Sequence, residues 1–297
     1  MPVIGAGQPV VFGEVLFDTF PDGSRVLGGA PFNVAWHLQA FGCAPLFVSR
    51  IGDDEPGRQV RAAMQNWGMS TSGLQEDSLH PTGEVRVSIE HGEPAYEIVA
   101  DQAYDYIDGA SLPDAGSASL AYQGTLALRN HQSANALDTL LARFHPPVFL
   151  DINLRPPWWN RVAAERMLGK ANWLKLNEHE LAELLGPDID VQAGAAALIQ
   201  QYDLSLIIIT RGEKGAGCFS ASGETFNVEP ESASRVVDTV GAGDAFTSVC
   251  LLGLIQAWDM QKILHRAQQF ASAVVGVRGA TIEDRGFYEP FISEWQK

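Results

Sequence analysis

The chain has 297 residues, with 20 basic residues against 36 acidic ones, a formal net charge of −16, 46% hydrophobic and 19% charged residues. This is the composition of a globular chain long enough for one large, deep core, and it excludes a disordered one. The acidic surplus argues against nucleic acid or an anionic membrane as partner, but leaves room for an anionic substrate in a site with its own local field.

In chain order, short apolar runs alternate with helical stretches. Val10-Val11-Phe12, Leu46-Phe47-Val48, Val148-Phe149-Leu150 and Leu206-Ile207-Ile208-Ile209 read as strands apolar on both faces. Helices are expected over 33–41, closed by Gly42, over 57–67, closed by Gly68, and over 178–185, ended by Gly186 and Pro187. Each has the glycine that a helix C-terminus favours. The pattern predicts an α/β fold with a mostly parallel sheet covered by helices on both sides. Glu84 to Glu90 breaks the rhythm by strict alternation, followed by a turn at His91-Gly92-Glu93-Pro94 and a second alternation from Tyr96. This predicts an antiparallel hairpin with one wet face, forming a small separate sheet with the segment near 12–17. With no repeat, low-complexity tract or linker, residues 1–297 read as one domain carrying a small β lid.

Cys43, Cys218 and Cys250 are odd in number and far apart, so they are read as buried thiols rather than zinc ligands or disulfide partners. The N-terminus has no basic stretch ahead of an apolar one, and no signal peptide is expected. The longest apolar run, about 245–255, contains Thr247 and Ser248 and is too short to span a bilayer. A reducing cytoplasm is the simplest setting.

The strongest local signal is Asp238-Thr239-Val240-Gly241-Ala242-Gly243-Asp244-Ala245-Phe246, where small residues open a long apolar helix. Free N–H groups and the helix dipole make such a turn an anion site, suited to the charge that a transferring phosphoryl group spreads over its oxygens. Asp244, one residue inside the turn, is placed to accept the proton of an attacking hydroxyl. The other reading is an ordinary glycine-rich turn with a first-turn acid. Common nucleotide motifs are missing. Gly169-Lys170 is followed by Ala171, with Ala164 where a P-loop needs glycine, and 212–217 lacks the dinucleotide glycine order.

The 238–246 segment resembles the C-terminal signature of the ribokinase-like (PfkB) carbohydrate kinases. Gly28-Gly29-Ala30-Pro31-Phe32-Asn33 resembles their N-terminal sugar motif, and Ile51 to Gly57 their next landmark. Asn177-Glu178-His179-Glu180 is similar to their NxxE metal motif, and Thr210 to Gly215 to their nucleotide loop. The resemblance implies a Rossmann-type sheet with a β lid built from about 12–30 and 83–107. It also implies an ATP-dependent phosphotransferase acting on a primary sugar hydroxyl.

On this resemblance Asp18, Gly28, Gly29 and Asn33 meet the sugar, and Asp244 is the base. Gly241, Ala242 and Gly243 supply the anion hole. Asn177, Thr210, Gly212, Gly215, Gly243 and Ser272 lie along the nucleotide. Glu180 serves Mg2+ through water. Asp238 and the Val240 carbonyl, with carbonyls from about Ala273 to Gly279, form a monovalent-cation site for K+. Several of these have a plainer reading. Asp18 can be a turn acid, Asn33 a helix N-cap, Gly215 an ordinary turn glycine, and Asn177 with Glu180 a capping box. Ser272 departs from the Asn or His common there.

Asp151 to Arg155 is similar to the DxNxR segment of fructokinases and 2-keto-3-deoxygluconate kinases. It is expected to bring Asn153 and Arg155 into the crevice. Arg155 could meet phosphate, a substrate carboxylate or a sugar oxygen, or form a structural ion pair. Trp158 and Trp159 read as packing. The motif set implies ATP-Mg and a sugar as ligands, with fructose favoured over a keto-acid or nucleoside, and a catalytically inactive sugar-binding regulator as the alternative outside the enzymes. A homodimer is compatible with the sequence, which does not fix the oligomeric state.

Overall fold

The computed structural model describes residues 2, 4–90, 93–114, 116–230 and 236–296. A nine-stranded sheet forms the body. Its strands are β1 (Gln8–Phe12), β4 (Leu46–Gly52), β5 (Leu74–Asp77), β8 (Ala118–Gln123), β9 (Val148–Asp151), β10 (Trp173–Asn177), β11 (Leu206–Thr210), β12 (Ala216–Ser220) and β13 (Thr225–Val228). They lie in the order β13-β12-β11-β10-β9-β8-β1-β4-β5. Every neighbouring pair from β11 to β5 is parallel, and β12 and β13 add antiparallel strands at one edge.

Strand alternation divides the core in two. Val11, Leu206 and Ile208 face one hydrophobic cluster, and Val10, Phe12, Ile207 and Ile209 face the other. The first cluster includes residues of α1 (Ala30–Ala40), α2 (Glu55–Trp67), α7 (Ala242–Ile255) and α8 (Met260–Val274). The second includes residues of α3 (His131–Phe144), α4 (Arg161–Leu168), α5 (Glu178–Leu185) and α6 (Val191–Tyr202). A short α9 (Glu289–Trp295) ends the described chain. Burial on both faces explains why the strand sequences are uniformly apolar. Helix α7 is buried from Ala245 to Leu254, which explains its lack of a polar face.

The second sheet runs β3 (Arg25–Gly28), β2 (Leu16–Thr19), β6 (Gly83–Glu90) and β7 (Glu93–Ile98). The expected hairpin is present as β6 and β7; residues 91 and 92 of its turn lie outside the described residues. Val85 and Val87 are buried as the alternation requires, but Ile89, near the end of β6, is 62% exposed. Phe12 belongs to β1 of the large sheet, so the small sheet starts at Leu16.

Helix starts shift in two informative places. α1 begins at Ala30, not Asn33, because Gly29 caps it and Pro31 suits its first turn. α2 begins at Glu55, where Asp54 accepts the Gly57 N–H at 2.8 Å. Cys218 and Cys250 are buried, whereas Cys43, at the end of a surface turn, is only half-buried.

Candidate active site

The carboxyl ends of the parallel strands and the start of α7 meet at one crevice, the usual place for ligands in an open α/β sheet. Gly241 caps α7 with φ 82°, and a Cβ there would lie 2.4 Å from that of Ala280, so the close approach demands glycine. Among the described residues, the N–H groups of Gly241, Gly243 and Asp244 have no acceptor, and that of Ala242 reaches only Thr239 O at 3.4 Å. The turn therefore offers donors at the positive end of a fourteen-residue helix.

Asp244 sits in the first turn of α7, on the floor of the crevice, where water still touches it but protein surrounds it. Burial pushes its carboxyl up to about 6, against the hydrogen bond from Asn33; Asp151 adds to the rise, and Lys175 and Arg155 oppose it. Asn33 Nδ2 donates to Asp244 Oδ2 at 2.7 Å. Asn33 is thus inside α1, buried, and not an N-cap. Its bond to Asp244 fixes the amide orientation and leaves Asn33 Oδ1 buried without a partner, near Gly28. Gly29, with φ 109°, brings the chain so close to Glu14 that a Cβ would lie 2.8 Å from Glu14 O.

Asp18, on β2, comes from the small sheet. Burial, and then the charge of Asp238, raise its carboxyl to about 6, and its place in a strand means that it is not a surface-turn acid. Asn153 follows β9 in a left-handed conformation, φ 41°, and its carbonyl accepts from Thr125 Oγ1 at 3.2 Å. Arg155 is exposed and carries no ion pair among the described residues, yet its charge acts on both Asp244 and Glu14. The structural ion pair is therefore not what holds it. Trp158 packs on the Arg129 guanidinium, 4.3 Å from ring centroid to Cζ, in line with a packing role.

Beneath the anion turn lies a buried ion pair. Lys175 Nζ donates to Asp151 Oδ2 at 2.7 Å, and Thr247 Oγ1 donates to the same oxygen at 2.9 Å. Lys175 Nζ stands 3.6 Å from where a Cβ on Gly243 would be. Despite burial, Asp151, Glu180 and Asp244 raise the Lys175 pKa, so the ammonium stays charged. The Lys175 ammonium, paired with Asp151, thus lies under the turn where a transferring phosphoryl group would develop negative charge.

On the nucleotide side, Asn177 and Thr210 are register neighbours on β10 and β11. Asn177 and Glu180 form the capping box. Asn177 Oδ1 accepts the Glu180 N–H at 2.8 Å, and Glu180 Oε2 accepts the Asn177 N–H at 2.9 Å. Glu180 Oε1 accepts the Leu154 N–H at 2.9 Å, so both oxygens of this buried side chain are engaged. Gly212, φ 55°, is open, whereas a Cβ on Gly215 would come within 1.9 Å of Val228 O, so Gly215 serves the turn into β12. Ser272 lies on α8 and accepts from Gln268 Nε2 at 3.2 Å. Asp238 accepts N–H groups from Val240 at 3.0 Å and Gly279 at 3.1 Å, and the Val275 carbonyl accepts from Val237 and Asp238. The structure thus joins 238–240 to 275–279, while Val240 itself is 48% exposed.

Two groups at the site escaped the sequence reading. Lys175 stands alone in the apolar run Trp173-Leu174-Lys175-Leu176, and a lone cation in a buried strand requires an acid; its register partner is Asp151. Glu14 is 2% exposed with Oε2 unpartnered. It follows β1 at a crossover end, the one signal that could have marked it.

This fold and crevice define a phosphotransferase of the α/β class. The sequence profile described as pfkB family carbohydrate kinase matches residues 13–285, and the chain belongs to that family. It is 30% identical over 262 residues to a fructokinase of Klebsiella pneumoniae, covering 84% of each chain. It is 27% identical to a fructokinase of Escherichia coli, covering 91% of this chain and 94% of that one. Its fold is similar to that of a Vibrio cholerae O395 fructokinase with fructose, ADP and potassium bound, at TM-score 0.82 and 23% identity, covering 97% and 99% of the chains. It is equally similar to aminoimidazole riboside kinase of Salmonella enterica, at TM-score 0.83 and 24% identity, covering 96% and 99%.

Proposed function

We propose that the protein is a fructokinase, transferring the γ-phosphoryl group of ATP to the 6-hydroxyl of D-fructose. The observation that carries the kinase reading is Asp244, a carboxylate oriented by Asn33 at the mouth of a donor-rich helix turn. Asp244 takes the hydroxyl proton as the oxygen attacks. The N–H groups of the 241–243 turn stabilise the charge on the transferring group, with the Lys175 ammonium beneath. Asp18, Asn33 and the Gly28-Gly29 backbone hold the sugar, Asn153 and Arg155 border it, and Asn177, Thr210, Gly212, Gly215 and Ser272 flank the nucleotide. The four-stranded sheet closes over both and excludes water. Fructose is favoured by the curated relatives named above.

Magnesium fits as an ion carried on the phosphates, neutralising their charge. Among the described residues no group of three or more His, Cys, Asp or Glu is gathered for a metal, and both Glu180 oxygens hold N–H groups, so Glu180 would reach the ion through water. Asp238 and the Val240 carbonyl, beside the 275–279 turn, would hold potassium. Replacing potassium by a bulky organic cation at one ionic strength should lower turnover; equal rates would remove that site. Among the described residues no helix is long and apolar enough to cross a membrane. The free thiols suit a reducing cytoplasm. The exposed Ile89 and Tyr96 on the small sheet are compatible with a homodimer, which sedimentation would test.

The deciding experiment is a coupled ADP-release screen over fructose, ribose, 2-keto-3-deoxygluconate, tagatose and adenosine. Fructose should give the highest kcat/KM. A much higher value for 2-keto-3-deoxygluconate, whose carboxylate Arg155 could grip, would replace the substrate but keep the kinase. No turnover with any would favour a sugar-binding regulator.

A further inference from the structure

Glu14 leaves β1 where the chain crosses into the small sheet, and its backbone carbonyl lies against Gly29 of the sugar motif. The side chain is 2% exposed, and Oε2 has no partner among the described residues. A buried carboxyl oxygen left without a donor is costly unless something supplies one. The charged and titratable groups around it come from several elements. Arg155 follows β9, Asp244 opens α7, Tyr122 lies on β8, Tyr104 follows β7, and Arg129 precedes α3. Arg129 donates to Asp105 from Nε and Nη2, both at 2.7 Å, but its Nη1, like the hydroxyls of Tyr104 and Tyr122, has no partner among the described residues. Asn33 Oδ1, fixed by the bond from Nδ2 to Asp244, is a second buried acceptor without a partner among the described residues.

We propose that Glu14 is an acceptor-binding residue, whose Oε2 meets a hydroxyl of the sugar beside the one that Asn33 Oδ1 meets. Unpartnered acceptors at Glu14 and Asn33, alongside unpartnered donors at Arg129, Tyr104 and Tyr122, suit a ligand whose groups both donate and accept, which is the chemistry of a polyol. The proposal rests on the carbohydrate-kinase reading of the site and adds to it a contact outside the glycine and signature motifs. Burial, opposed by the N–H groups of Glu14 and Ala127 and by Arg155, raises the Glu14 carboxyl to about 7. Glu14 can therefore accept from the sugar when ionised and donate to it when protonated.

The test is calorimetric binding of fructose and its monodeoxy analogues to the unmodified protein, Glu14→Leu and Glu14→Gln, with ATP affinity followed alongside. In the unmodified protein, removing the hydroxyl that Glu14 holds should weaken binding roughly tenfold or more. Glu14→Leu should weaken fructose by a similar factor and leave ATP within about twofold. In that variant the same deoxy analogue should bind as well as fructose does, since the two losses report one contact. Glu14→Gln should restore part of the affinity. If Glu14→Leu does not fold, Glu14→Gln makes the same comparison, and the penalty for that one analogue must shrink. A folded variant that keeps every deoxy penalty unchanged would overturn the proposal and leave Glu14 a buttress of Gly29. If the unmodified protein ignores fructose, the fructokinase reading fails by itself. The same series, built on whichever sugar releases ADP, then judges Glu14.

Discussion

Asn33 and Asp244 stand 211 positions apart in the chain and meet at 2.7 Å, the carboxamide of a buried helix holding the carboxylate that opens another. The bond joins the Gly28-to-Asn33 motif to the 238–246 turn, so the proposed sugar contact and the proposed base share one frame. It also fixes which Asp244 oxygen is engaged and leaves the other toward the crevice.

Asp244→Asn keeps shape and removes the proposed base. Turnover should fall roughly 10²- to 10⁴-fold, the usual scale for a general base, while fructose and ATP affinity change less. Steady-state kinetics with a thermal melt as folding control checks this. Near-normal turnover in a folded variant would strip Asp244 of the role.

The pH behaviour follows from the sign of the shift. Burial holds Asp244 at about 6 in the fold, above its ordinary value of 3.8. The active form is ionised, so kcat/KM should fall as pH drops through about 6, with Asp18, also near 6, steepening the limb. For stability the folded state binds more protons between about 4 and 6, so this group's contribution declines as pH rises through that window. Asp244→Asn should therefore melt higher than the unmodified protein at pH 7, and the difference should vanish below pH 4. A difference that grows on acidification would contradict this assignment.

The strands and most helix ends were legible because each rests on a local rule, such as uniform apolarity or a terminal glycine. So was the 238–246 turn, whose small residues have few other uses. Asn177 and Glu180 were not resolvable, because a capping box and a metal motif use the same spacing; only the fold brings the Leu154 N–H to Glu180 Oε1. Lys175 and Glu14 were missed because their meaning is non-local. Lys175 is explained by its register with Asp151, and Glu14 by side chains from five other parts of the chain.

Lys175 and Asp151 are 7% and 3% exposed, so removing one leaves a charge buried. Lys175→Met should destabilise the protein by about 3–5 kcal/mol and lower turnover through the loss of charge under Gly243. Adding Asp151→Asn should recover much of the stability but not the turnover. Denaturant melts of both variants separate the two effects. A single variant as stable as the unmodified protein would mean that the pair is not buried as described.

Gly241 tests whether the shape of the turn matters apart from its charge. Its φ of 82° is costly for any other residue, by about 1–2 kcal/mol. The Cβ of alanine would also meet Ala280 Cβ at 2.4 Å. Relief can come only by moving the 279–280 segment, whose Gly279 N–H is held by Asp238, or by moving the start of α7. Either shift displaces the N–H donors proposed to face the phosphoryl group. Gly241→Ala should therefore lose more turnover than stability. Adding Ala280→Gly removes the clash but not the backbone cost, so it should restore part of the turnover while the melt stays below that of the unmodified protein. Paired kinetics and melts on the two variants check this, and a Gly241→Ala protein with full turnover would show that the donors at this turn do not act on the transferring group.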